Sequence, residues 1–166
     1  MTRWLIGPDK LLHEDEVKAL RKALQAAASI AKSKAHEGPI RDQCIIELAL
    51  GTGLRVAEIS ALRISDLDLR IGGNTLIVRH EKIGRQRIVK FSTSLNSMIL
   101  GYLEYRDSGS LFLFPSERQD HMSHNGIQKV FKKWAKKAGI PAHFSIHSCR
   151  HYYASTLLLV SKNLRL

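Results

Sequence analysis

Apolar side chains recur at helical spacing through most of this chain, and the period breaks only once, into two short β-branched runs. A chain with that pattern folds as packed helices carrying one small sheet. Leu11 to Ala35 reads as a first helix, with Glu14, Asp15 and Glu16 in the opening turn, where carboxylates complement the helix dipole, and Val17, Leu20, Leu24 and Ala27/Ala28 along one stripe. Gly38-Pro39 is expected to end it. A second helix is expected from about Ile40 to Leu50, with Cys44, Ile45, Leu48 and Ala49 apolar. Gly51-Thr52-Gly53 breaks it, and a third starts near Arg55 and carries Val56, Ile59 and Leu62. Thr75–Arg79 and Gln86–Phe91 are the β-branched runs, parted by a stretch containing Gly84, and they predict a hairpin. Helical spacing returns between Ser94 and Arg106, again from Ser123 to Ala138 with Gly139 and Pro141 as stop signals, and finally from near Ile146. A short apolar run, Leu111–Phe114, closes at Pro115. The fold class is therefore α+β, mainly α-helical, with a small antiparallel β-sheet inserted among the helices.

At 166 residues and 44% hydrophobic, the chain suffices for one domain with a real core. No apolar run approaches the ~18 residues that span a bilayer, and the N-terminus lacks the long apolar region of a signal peptide, so no membrane partner is expected. Cys44 and Cys149 are far apart and lack CxxC spacing; they read as buried thiols of a cytoplasmic protein. The informative number is a net charge of +11, from 26 Lys+Arg against 15 Asp+Glu. A surplus of that size points to a polyanion, because basic side chains release the counterions condensed on a phosphate backbone.

Four basic residues stand in contexts that suit phosphate chemistry. Arg55 follows Gly53-Leu54 at a tight turn between helices, where a guanidinium can join exposed amides around an anion; it can equally pair with Glu58 one turn on. Lys82 lies in the hairpin turn, from which an ammonium reaches a phosphate or simply stays in water. His147 and Arg150, three apart on a helix, share one face. An arginine there neutralises nonbridging oxygens while the histidine exchanges a proton, although a histidine at the edge of a core beside a surface arginine has the same spacing. His147 and His151 also stand at i, i+4, but no third ligand has suitable spacing, so no metal is expected. In the helix from Ser123 to Ala138, Lys129, Lys132, Lys133, Lys136 and Lys137 populate the faces opposite Ile127, Phe131 and Trp134. Together with Arg79, Arg85, Arg87 and Lys90 they make two basic clusters, either solvated or tracking phosphates along double-stranded DNA.

The order of these segments adds a resemblance. Leu48-Ala-Leu-Gly-Thr-Gly-Leu-Arg-Val-Ala-Glu-Ile-Ser-Ala-Leu62, followed by Ile64-Ser-Asp-Leu-Asp68, resembles the first arginine box of the tyrosine recombinase (phage integrase) family. The hairpin lysine followed by Gln86-Arg-Ile-Val-Lys-Phe91 is similar to that family's β-hairpin, and His147-Ser-Cys-Arg-His-Tyr-Tyr-Ala-Ser155 to its His-x-x-Arg box. The resemblance implies a catalytic domain over residues 11–166, with 1–10 as an N-terminal extension or linker remnant. It also implies that Arg55 and Arg150 clamp a scissile phosphate, that Lys82 protonates the leaving 5′-oxygen, and that His147 assists. The chemistry would be strand exchange through a 3′-phosphotyrosine, with DNA and other recombinase subunits as partners and no cofactor, since the covalent link conserves the phosphodiester's energy.

The chain departs from the family pattern at its end. The tyrosine that should follow the His-x-x-Arg box is missing: Tyr152 faces away from Arg150, Tyr153 shares a face with Arg150 but stands where the resemblance implies a core hydrophobic residue, and the apolar pattern is still running when the chain stops at Leu166. The expectation is a recombinase fragment that binds DNA but does not cleave it alone. The alternative is a non-catalytic DNA-binding protein reusing the same fold. An unrelated basic RNA-binding protein fits the charge but not the order of the segments.

Overall fold

The computed structural model describes residues 7–80, 83–106 and 109–163. Six α-helices run in order among them: α1 (Glu14–Ser33), α2 (Glu37–Thr52), α3 (Val56–Ser60), α4 (Thr93–Leu103), α5 (His124–Lys137) and α6 (Ile146–Asn163). Between α3 and α4 lies an antiparallel sheet in the order β1 (Leu67–Asp68), β2 (Thr75–His80), β3 (Arg85–Lys90). This is the mainly helical fold with an inserted sheet that the single break in period predicts.

The core is organised around α2. Ile40, Cys44, Ile45, Ile46, Leu48 and Ala49 are buried on all sides of it, and α1, α4, α5, α6 and α3 each pack against it. α1 contributes the expected stripe of Val17, Leu20, Leu24 and Ala28, and Tyr102 of α4 lies 5.6 Å from the Phe114 ring. One charge is buried on this helix. Asp42 accepts hydrogen bonds from Trp134 Nε1 at 2.9 Å and Arg41 Nη2 at 2.9 Å and pairs with Lys133, tying α2 to α5. A carboxylate at zero exposure is tolerable only with such a full set of donors.

Gly38-Pro39 does not end α1; it lies in the first turn of α2. Proline is accepted there because the first amides of a helix have no intrahelical partner to lose. The stop signal for α1 is a turn through Ala35, at φ 50°, in which His36 N–H donates to Ala31 O at 2.9 Å and Ala35 N–H to Lys32 O at 3.3 Å. The third helix is a single five-residue turn, and β1 is a strand that sequence spacing missed.

In the hairpin, Leu76 pairs with Val89, Val78 with Arg87 and Arg79 with Gln86. Strand alternation therefore turns Leu76, Val78, Arg87 and Val89 to one face, and Arg79, Gln86 and Ile88 to the other. On α6, Ile146, Ser148 and Cys149 are buried, whereas Leu157, Leu158, Leu159 and Val160 are more than half exposed. No helix among the described residues is long and apolar enough to cross a membrane.

Candidate nucleic-acid interface

The site begins at the end of α2. Gly53 takes a left-handed conformation at φ 64°, its N–H still donating to Ala49 O at 3.2 Å, and the chain turns sharply into α3 with Arg55 as the residue before the first turn. The carbonyl of Gly53 accepts a hydrogen bond from Arg150 Nη1 of α6. Two guanidiniums far apart in the chain are thereby drawn to the same turn. Burial, the nearby Arg55 and Arg87 together lower the pKa of Arg150 from its ordinary value, against the pull of Glu58. Concentrated like charge of this kind is costly unless an anion joins it.

Glu58 organises the other side. Its carboxylate accepts the Arg55 backbone N–H at 2.8 Å and two bonds from Arg87, at 2.7 and 2.9 Å, while Arg55 Nη1 approaches at 3.4 Å. His80 Nε2 lies 3.1 Å from Arg87 Nη1. Burial pushes the Glu58 carboxyl up, but the hydrogen bonds from Arg87 and Arg55 outweigh it and hold the group below its ordinary value. Arg55 thus does pair with Glu58, yet only at 3.4 Å and with 54% of its side chain exposed, so its guanidinium still opens to solvent. Arg55 and Glu58 share with Arg63, Asp66, Arg79, His80 and His121 a cavity of about 620 Å³ between α3 and the sheet.

His147 stands one turn before Arg150 on α6. It is exposed on the first turn of α6 and lines a separate cavity of about 350 Å³, one that neither Arg55 nor Arg150 lines. It connects to the arginines through His151, whose imidazole feels both His147 and Arg150. Lys82 lies outside the described residues.

The basic clusters separate on inspection. Arg79 and Arg87 sit on opposite faces of the hairpin, Arg79 paired with Asp66 at 2.6 Å and Arg87 with Glu58, while Arg85 is exposed. On α5, Lys132 donates to the carbonyls of Ala142 and Phe144, and Lys133 is engaged with Asp42, so both brace the fold. Lys129 and Lys136 remain exposed, and Lys137 lies over the Trp134 ring at 4.5 Å. Sequence reading passed over Gly53 as an acceptor and took Glu58 only as a salt-bridge partner. The doubled glycine around Thr52 and the i, i+3 spacing from Arg55 were the available signals.

The two late tyrosines are placed differently. Tyr152 donates to Glu14 Oε2 at 3.0 Å, and burial, with Glu14, raises its pKa from the ordinary phenol value. Tyr153 lays its ring on Gly53, where a β-carbon would overlap it. Among the described residues no group of three His, Cys, Asp or Glu side chains is arranged to hold a metal ion.

The model of the Phage integrase family matches residues 10–166. Tyrosine recombinase XerC of Vibrio cholerae serotype O1 (strain ATCC 39541) is 35% identical over 130 residues, 76% of this chain and 41% of that protein. XerC of Bacillus pumilus (strain SAFR-032) is 29% identical over 163 residues, 93% of this chain and 50% of that protein. The crystal structure of XerA recombinase matches with a TM-score of 0.70 at 30% identity, over 89% of this chain and 48% of that one. A XerH recombinase in pre-cleavage complex with its difH substrate shares the fold, with a TM-score of 0.73 at 19% identity over 89% of this chain and 43% of that one. The chain spans about two fifths to one half of the length of these relatives.

Proposed function

Because the chain belongs to the phage integrase family, we propose that it is the phosphate-binding part of a tyrosine-type site-specific recombinase, binding duplex DNA and cleaving it only when a tyrosine is supplied from outside these residues. The observation that carries this is the meeting of Arg150 with the turn that bears Arg55, through the Gly53 carbonyl. A guanidinium carried by that turn and a second bonded to its carbonyl suit the two nonbridging oxygens of one phosphodiester, and such contacts strengthen as negative charge develops on those oxygens. Glu58 and Arg87 fix the turn from behind.

In the reaction that follows from this reading, a tyrosine oxygen attacks phosphorus and forms the 3′-phosphotyrosine bond. The bond to the 5′-oxygen breaks, and that oxygen leaves with a proton from Lys82. His147 assists proton transfer, and a second 5′-hydroxyl reverses the step. The phosphodiester bond count is conserved, so charge stabilisation is the main demand placed on the protein. Lys129, Lys136 and Arg85 are further exposed cations available to a phosphate backbone. Other recombinase subunits are the expected partners in strand exchange. A DNA-binding protein without catalysis is the second reading, favoured by the engagement of the Tyr152 hydroxyl with Glu14.

The test uses duplexes carrying a nick beside the cleavage position, with denaturing gels for covalent adducts and fluorescence anisotropy for affinity. The chain alone is expected to bind with a steep loss of affinity as salt rises, and to give no adduct; an adduct overturns the proposal. Arg150→Ala is expected to abolish cleavage complemented in trans while reducing affinity by less than about tenfold. Equal loss of both would make Arg150 a structural residue.

A further inference from the structure

The cavity that His147 lines is built from two distant segments. Asp9 and Lys10 come from the 3-10 turn Pro8–Lys10 ahead of α1, and His143, Phe144, Ser145, His147, Ser148 and His151 from the approach to α6 and its first turns. The turn is fastened there by His143, whose Nε2 lies 2.8 Å from the Asp9 carbonyl. A carbonyl only accepts, so this nitrogen carries the hydrogen and Nδ1 is the atom that gains or loses a proton. The His143 ring is braced by Phe144 at 4.2 Å between centroids.

The charge of this hollow depends on protons. With its imidazoles neutral, the Lys10 ammonium and the Asp9 carboxylate cancel; with His143, His147 and His151 protonated it is strongly cationic, and Arg150 stands beside it. A metal does not explain the grouping, since these side chains are not arranged as a ligand set. We propose that the hollow is a second phosphate subsite, taking a further backbone phosphate of the bound duplex through Lys10 and the protonated His143 and His151, with His147 at its edge. The inference rests on the DNA-binding reading above and adds a ligand site that the arginine pair does not provide.

The electrostatics fit this use. Burial, then the charges of His147, Arg150 and Lys10, lower the pKa of His151 from its ordinary value when no anion is present. A phosphate in the hollow reverses those terms and favours the imidazolium. Binding therefore takes up protons, and affinity rises as pH falls from 8 towards 6. The titratable groups that line the site are Asp9 and Lys10 from the turn, His143 from the loop, and His147 and His151 from α6, with Arg150 acting on His151 from outside the lining; the Asp9 carboxylate opposes the phosphate.

The experiment measures affinity for a fluorescein-labelled duplex between pH 8 and 6 at constant ionic strength, and follows the histidine imidazole resonances by NMR with and without the duplex. The expected result is several-fold tighter binding at the lower pH, with the His143 and His151 imidazoles titrating at higher pH in the complex. Lys10→Ala/His143→Gln replaces two exposed side chains, and is expected to bind still, to lose part of the pH dependence while His151 retains the rest, and to lower the salt slope by about 1. An unaltered pH dependence in that variant, or imidazoles whose titration ignores the duplex, overturns the subsite alone. Absence of salt-dependent binding at every pH overturns the DNA reading and the subsite with it.

Discussion

Residue 53 carries three duties in one position. Its left-handed backbone closes α2, its carbonyl holds the Arg150 guanidinium, and its bare Cα receives the Tyr153 ring. A methyl group there costs about 1 kcal/mol for the left-handed backbone and about 1–3 kcal/mol for overpacking against the ring. Gly53→Ala is expected to lower the thermal midpoint by roughly 5–10 °C in calorimetry, at the 2–4 °C per kcal/mol usual for a domain of this size. In a Tyr153→Ala background the overlap is gone and only the backbone share of that loss should remain. An equal loss in both backgrounds would show that the ring contact contributes nothing.

At the scale of elements, α3 is too short to sustain itself, since one turn lies far below the length at which a helix holds in water. It stands because Glu58 satisfies the Arg55 amide and is clamped by Arg87 from β3, joining helix to sheet. The carboxyl is held below its ordinary value in the folded state, so its stabilising share is present above that ordinary value and is lost as pH falls through the folded one. Glu58→Gln is expected to cost about 1–2 kcal/mol at pH 7, a charge-assisted pair discounted because 38% of the Arg87 side chain is exposed. Urea unfolding at pH 7 and pH 4 should show the gap between variant and parent shrinking in acid. A constant gap would separate Glu58 from the acid response.

The same scale explains what could be read in the sequence and what could not. α1, α4, α5 and α6 follow directly from apolar spacing, and α5 starts next to Ser123 as its spacing predicts, the Ser123 Oγ accepting from Gly126 N–H at 3.0 Å. Two-residue β1 has no alternation to detect, and Gly38-Pro39 suits a first turn as well as a stop. The arginine cluster misled because residues 79 and 87 look adjacent in composition, whereas the hairpin register, set by the turn between the strands, puts them on opposite faces. Lys132 and Lys133 read as surface charge until packing of α5 brings them to the Ala142 and Phe144 carbonyls and to Asp42. The convergence of Arg55 and Arg150 was legible only as a resemblance, because no local rule links α3 to α6.

For the molecule as a whole, a charge of +11 and the overhanging end of α6 pull in opposite directions. Mutual repulsion keeps copies apart at low ionic strength, while the row Leu157, Leu158, Leu159 and Val160 offers each copy an oily shelf. Sulfate screens the first and strengthens the second. Static light scattering of the DNA-free protein should therefore grow with sodium sulfate, and Leu158→Glu should blunt the growth; identical curves would absolve the shelf. If both predictions hold, the salt that would strip the protein from a polyanion is the salt in which it would cling to itself, and its colloidal comfort zone would be the dilute-electrolyte regime in which a phosphate chain would hold it most tightly.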